Sequence, residues 1–163
     1  MIGQQVVYDK LAELGIEFNY LEHPEAPTIE IARQYWKDFK GTHCKNLFFR
    51  NHKGNQHYLV VFECNQQMDI HALEKRLMQG KLSFASPERM MRYLGLAPGS
   101  VSPFGLLNDT THHVKVFLDD KLLQAERLSF HPNDNRASLS ITLDDFKRFM
   151  DATGNAYEWK ELY

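Results

Sequence analysis

KNLFFRNHKGNQHYLVVFEC, residues 45–64, is the stretch whose reading decides the fold. Residues 45–50 and 57–64 are rich in Leu, Val, Phe and Tyr, side chains that suit a pleated, half-buried surface. His52, Lys53, Gly54 and Asn55 between them supply a turn, so the two runs are expected to pair as an antiparallel hairpin. That pairing brings Cys44 and Cys64 near each other on adjacent strands. A disulfide is one outcome. Two reduced neighbours are the expected one in a cytoplasmic chain.

Working outward from the hairpin, helix and strand signals alternate. Val7, Leu11 and Leu14 recur at helical spacing over residues 4–14, closed by Gly15. A short strand is expected from Phe18 to Leu21, and Thr28 stands as an N-cap for a helix through Trp36. On the other side, Asp69 caps a helix holding Leu73 and Leu77, ended by Gly80. Ser86-Pro87 is an N-cap followed by proline at the first helical position. That helix carries Met90, Met91 and Leu94 and stops at Gly95. Val114, Val116 and Leu118 alternate over 113–118, and Ala137, Leu139 and Ile141 over 137–141, as in half-buried strands. Thr142 with Asp145 resembles a capping box for a last helix with Phe146, Phe149 and Met150, stopped by Gly154. The expected fold is α+β: a single domain over residues 1–163, with a mixed, largely antiparallel sheet flanked by helices.

A chain of 163 residues is one domain's worth and buries roughly 70% of its extended surface, so its core needs no staples. Aromatic residues at 12% argue against disorder. A net charge of -2 excludes a protein that coats nucleic acid by charge, and sequence-specific DNA reading is not expected. RNA contact would need a local basic patch and would weaken steeply with salt. Two groups offer one: Lys37, Lys40, Lys45, Arg50 and Lys53, then Lys75, Arg76, Lys81, Arg89 and Arg92. The opening MIGQQVVYDKLAEL is amphipathic rather than a secretory leader, and no run approaches 18 apolar residues. The cytoplasm is the expected location, with no membrane partner.

Several chemistries lack their motifs. Eight histidines invite a metal, but there is no CxxC, HExxH or HxH, and adjacent His112 and His113 would point to opposite faces of a strand. Gly99-Ser100 begins a nucleophile elbow but lacks its second glycine. Neither a Walker A loop nor GxGxxG is present, so no nucleotide cofactor is expected. Cys44 and Cys64 sit in apolar strands, where thiols are usually inert. An enzyme of this kind would depend on a labile substrate, an activated water or help from the substrate itself.

Three segments carry chemistry that remains. Lys45-Asn46 opens an apolar strand; the lysine either snorkels to solvent or holds an anionic or carbonyl oxygen. LAPGSVSPF, residues 96–104, is either a stiff connection or a preorganised loop whose backbone amides face a pocket, with Gly99 allowing close approach. FHPNDN, residues 130–135, is a turn in which His131 is either a surface residue or a hydrogen-bond partner in a site.

Together these segments resemble one family. KNLFFR (45–50), LSFASPERMMRYLGLAPGSVSPFGLLND (82–109), FHPNDNRASLSIT (130–142), LDDFKRFMDATG (143–154) and LEHPEAPTIEIA (21–32) resemble the prolyl-tRNA editing domain family, YbaK/ProX-like, over nearly the whole chain. The likeness is greatest to the stand-alone branch that deacylates Ala-tRNA(Pro). It implies hydrolysis of the ester joining a wrong amino acid to the terminal adenosine, without metal or cofactor. The implied partners are the acceptor end of tRNA(Pro) and, as a further candidate, prolyl-tRNA synthetase. The family's lysine falls on Lys45, its following asparagine on Asn46, its GxxxP loop on Gly99 to Pro103 and its histidine before proline on His131.

The resemblance thus implies Lys45 and Gly99 as catalytic, with Asn46, Ser100, Ser102, Pro103 and His131 binding substrate. Ser102 and Ser138 stand where relatives often carry threonine, and both keep a hydroxyl. Ile29, Ile31, Leu47 and Phe49 are candidate walls of an amino-acid pocket. Two rivals stay open: a deacylase for another small amino acid, such as the Cys-tRNA(Pro) branch, and a non-catalytic module that holds RNA or a small molecule.

Overall fold

Strand β2 (Thr42–Asn51) and strand β3 (His57–Glu63) form the expected hairpin, with Lys45 opposite Phe62 and Arg50 opposite His57. Asn51 organises its turn: its Oδ1 accepts from the amides of Asn55 and Gln56, each at 3.1 Å. Gly54 takes the left-handed conformation there, φ +72°. Cys44 lies opposite Glu63, one position from Cys64, and both thiols are free. The computed structural model describes residues 1–25 and 29–163, with Ile29 as backbone alone. The expected cap at Thr28 lies outside the described residues.

Around the hairpin the chain builds α1 (Gln5–Glu13), β1 (Asn19–Glu22), α2 (Ile29–Trp36), α3 (Ile70–Leu77), β4 (Leu82–Phe84) and α4 (Pro87–Leu94). There follow β5 (Lys115–Asp119), β6 (Arg127–Phe130), β7 (Ala137–Thr142), α5 (Leu143–Thr153) and β8 (Tyr157–Lys160). Caps set the helix ends. Asp69 accepts from the His71 amide, Ser86 from Arg89 and Thr142 from Asp145. Gly95 and Gly154 close α4 and α5 in the left-handed region. Helix α3 ends differently from expectation: Met78, not Gly80, is its left-handed C-cap, φ 56°.

The sheet runs β1-β7-β6-β2-β3-β5-β8, with β4 paired to β2 off that path. It is mixed: β1–β7, β6–β7, β2–β3 and β2–β4 are antiparallel, while β2–β6, β3–β5 and β5–β8 are parallel. Helices cover both faces. Phe48 joins a large core with Phe104, Phe146 and Phe149; its neighbour Phe49 points the other way, into a smaller core with Phe62, Leu73 and Leu77. Phe146 and Phe149 are fully buried, and truncating either to alanine would cost about 3–5 kcal/mol.

Strands β5 and β7 correct the expectation of half-buried strands. Both are covered on two faces. Phe117 packs into the small core between Val116 and Leu118, which face the large one. Ser138 and Ser140 are buried because they have partners: Arg127 donates to Ser140 Oγ at 3.1 Å, and Ser138 is engaged by His23 and Trp36. His112 and His113 precede β5 in a loop, so their side chains are not set by strand alternation. No helix among the described residues is long and apolar enough to cross a membrane.

Candidate functional site

One edge of β2 is left bare where the sequence reading placed its lysine. Strand β3 pairs with the other edge along residues 44–50. On this edge β6 reaches only Thr42 and His43, and β4 only Phe49 to Asn51. Among the described residues, no strand pairs there with residues 44–47. A cavity of about 490 Å³ opens at that gap, within the range of small-ligand sites. Residues 44–48 form one wall. The others come from α2 (Ala32, Trp36), Met90 of α4, the loop of Pro98, Gly99 and Val101, and the turn of His131 and Asn135.

Lys45, Asn46, Gly99 and His131 therefore share one cavity. Lys45 is exposed and makes no hydrogen bond or ion pair among the described residues. It is the single charged side chain among the described residues of the lining. Asn46 Nδ2 donates to the Cys44 carbonyl at 3.5 Å, while its Oδ1 is buried with no partner among the described residues. An orphaned buried acceptor is costly, and a ligand donor would satisfy it.

Gly99 takes φ +88°, where a side chain is strained. The next amide, that of Ser100, is consumed within the turn by the Ala97 carbonyl at 3.1 Å. The Gly99 amide makes no hydrogen bond to the described residues. Ser100, Ser102 and Pro103 do not line the cavity. Ser102 is fully buried, and its Oγ accepts from the Phe104 amide at 3.0 Å. It caps a short 3-10 helix, Pro103–Asn108, in which Pro103 holds the first position. These two residues anchor the far end of the loop whose near end faces the cavity.

His131 Nδ1 lies 2.7 Å from the Ala137 carbonyl, so Nδ1 carries the hydrogen and Nε2 keeps its lone pair. Burial lowers the pKa of this ring, against the pull of that carbonyl, and keeps it neutral. A second histidine is tied by the same logic. His23 Nδ1 donates to the Pro24 carbonyl at 3.0 Å, and its Nε2 accepts from Ser138 Oγ at 2.8 Å. Ser138 accepts in turn from Trp36 Nε1 at 3.2 Å. Trp36 stacks on His43 at 3.9 Å, and burial, with His131 and His23 nearby, pushes His43 down to about 4.

Other expectations separate. Leu47 lines the cavity. Phe49 does not; it shares the Leu47 side of β2 but is fully buried in the small core. Ile31 is more than a third exposed and outside the lining. The side chain of Ile29 lies outside the described residues. Arg89 does not contribute to a solvated basic face: it turns inward to His57 and the Gly54 carbonyl. His23, Trp36, Phe84 and Asn135 line the cavity although sequence reading did not select them; only the contiguity of LEHPEAPTIEIA with the other matched segments pointed toward His23.

The donor set limits the chemistry. The described lining holds no carboxylate and no hydroxyl nucleophile. Burial pushes the Cys44 thiol well up, helped by the Cys64 thiol and by Glu63, and raises Cys64 to about 11, so neither is a thiolate near neutrality. Among the described residues, no group of three or more His, Cys, Asp or Glu side chains is arranged to hold a metal ion. What the described lining offers is one cation, a turn amide without a partner among the described residues, and the neutral imidazole of His131. That set suits hydrolysis of an acyl group already activated, and fold and site together define a small hydrolytic editing domain.

Comparison with known proteins agrees. The sequence model of the aminoacyl-tRNA editing domain matches residues 23–149. The chain is 40% identical over 162 residues to the prolyl-tRNA editing protein ProX of Acetoanaerobium sticklandii, covering 99% of each chain. It is 34% identical to prolyl-tRNA synthetase associated domain-containing protein 1 of Mus musculus, covering 90% of this chain and 88% of that one. A crystal structure assigned provisionally to a trans-editing enzyme for prolyl tRNA synthetase superposes with a TM-score of 0.71 at 25% identity, covering 96% and 95%. The chain belongs to the aminoacyl-tRNA editing domain family, and so to its hydrolases.

Proposed function

We propose that this chain acts in trans on tRNA(Pro), releasing alanine attached in place of proline. The observation that carries this reading is the convergence of Lys45, Gly99 and His131 on one cavity whose single charge among the described residues is Lys45. An aminoacyl ester is already activated, so the enzyme needs to stabilise charge rather than supply a nucleophile. In this mechanism the Lys45 ammonium holds the 3′ end through the ester carbonyl or the terminal phosphate. The Gly99 amide donates to the oxygen that becomes negative. Water, assisted by the neighbouring ribose hydroxyl, attacks the carbonyl carbon, and the His131 Nε2 lone pair accepts a hydrogen bond from the attacking group. The ester bond then breaks to give free amino acid and the ribose hydroxyl.

Selectivity follows from size. A synthetase site built for proline rejects a smaller residue weakly, because a missing methylene is worth only about 1–3 kcal/mol. A second pocket too small for proline admits alanine and spares the correct product. Leu47 is the candidate wall that lies in the lining. The proposed partners are the tRNA(Pro) acceptor end and prolyl-tRNA synthetase, in the cytoplasm. Deacylation of Ala-, Cys-, Ser- and Pro-charged tRNA(Pro) tests the reading. Rapid loss of alanine with proline retained supports it. Preference for cysteine moves the chain to the sister branch, and binding without cleavage of any ester refutes catalysis.

A further inference from the structure

We propose that Phe84 is the stacking platform for the terminal base of the RNA substrate. The proposal rests on the deacylase reading above for its occupant and on separate observations for its place. Phe84 is 60% exposed, an unusual position for a large apolar ring. Of the exposed large hydrophobic side chains among the described residues, which include Ile31, Tyr35 and Met91, it is the one that lines the cavity of Lys45 and Gly99.

The ring is held, not loose. Its centroid lies 4.8 Å from that of fully buried Phe49, at 31°. Strand β4 fixes its backbone, because Phe84 pairs directly with Phe49 of β2. One face is thus backed by the core while the other is open at the cavity mouth. A π-face of this kind accepts any base, and stacking on it costs little ordering entropy because the ring is already fixed.

Position and charge fit the end of a nucleic acid. Lys45, Leu47 and Phe49 alternate onto the same side of β2, and Phe84 joins them from β4. Four residues of strand put roughly 13 Å between the backbones of Lys45 and Phe49, a span filled by a lysine chain and one nucleoside. Lys81, three residues before Phe84, and Lys45 are both exposed. Cations flanking an exposed ring are the usual partners of a single-stranded RNA end.

The test uses an RNA hairpin with the tRNA(Pro) acceptor stem, uncharged, and 2-aminopurine in place of the terminal adenine. Wild-type protein is expected to quench its fluorescence saturably, Phe84→Trp to do the same, and Phe84→Leu, which keeps bulk without a π-face, to abolish the quenching. In steady-state deacylation Phe84→Leu should raise KM about tenfold with kcat unchanged. Equal quenching by Phe84→Leu, quenching confined to a probe at the penultimate position, or no quenching by the wild type would each overturn the assignment. Because the fluorescence arm needs no cleavage, an RNA that stacks on Phe84 but is never deacylated would sink the catalytic reading alone.

Discussion

Arg89 Nη1 donates to His57 Nε2 at 3.0 Å, which forces the hydrogen of that fully buried imidazole onto Nδ1. Nδ1 then donates to His113 Nε2 at 2.8 Å, and Tyr93 stacks against both rings. The arrangement has no room for a second proton on His57: burial, then His113 and the guanidinium of Arg89, push it down to about 4.

Stability should therefore fall in mild acid. His57 and His43 titrate near 6.5 when unfolded and about 4 in the fold, so the unfolded chain takes up protons first as pH drops. Their contribution is intact above about 6.5 and is lost progressively toward 4. Urea midpoints should be lower at pH 5 than at pH 7.5. Equal midpoints would show that the buried imidazoles do not set the acid limit.

Lys45→Ala should leave the melting temperature unchanged, since the side chain is exposed and unpartnered. Deacylation should drop roughly a hundredfold or more, the usual cost of one lost electrostatic contact to a developing oxyanion. Single-turnover rates with Ala-tRNA(Pro) measure this directly, and wild-type rates in the variant would remove the lysine from the mechanism.

The two ends of the 99–103 loop should respond differently. Gly99→Ala forces a Cβ into the left-handed region, at about 1–2 kcal/mol, and places it 3.4 Å from Asn135 Nδ2. Turnover should fall about tenfold as the loop shifts. Ser102→Ala removes a cap and should cost about 1 kcal/mol of stability while kcat/KM stays within about twofold. Thermal melts paired with kinetics separate the cases, and a large kinetic defect in Ser102→Ala would move that hydroxyl into the site.

Both cysteines should resist alkylation in the native state. Their thiols line the cavity yet are held protonated, so iodoacetamide at pH 7.5 should label them far more slowly than in unfolded protein. Fast native labelling with loss of activity would reveal a reactive thiol in the cleft.

Local signals made much of this legible in the sequence. The Ser86, Asp69 and Thr142 caps, the His52-to-Asn55 turn and the apolar spacing of Val7 and Leu11 all act within one element or turn. What stayed hidden depends on long-range pairing. Alternation in β7 predicts a wet face, but His23, Trp36 and Arg127 engage the serines of that face. Phe49 looks like a pocket wall beside Leu47 until β4 and α3 cover it. Lys45, Gly99 and His131 stood out locally, but that they share one site was legible through resemblance alone, because nothing local announces that 54 residues of chain return Gly99 to the edge of β2.

The bare edge of β2 has one more consequence. A sheet margin left open commonly invites a stray strand; here α2 and the glycine-proline loop line the margin and enclose a cavity of small-ligand size. Within the proposed mechanism, the reacting carbonyl is met in part by peptide groups, which no point mutation deletes. Evolution could then exchange the surrounding side chains, retuning which amino acid is removed, while the hydrolytic apparatus stayed the same.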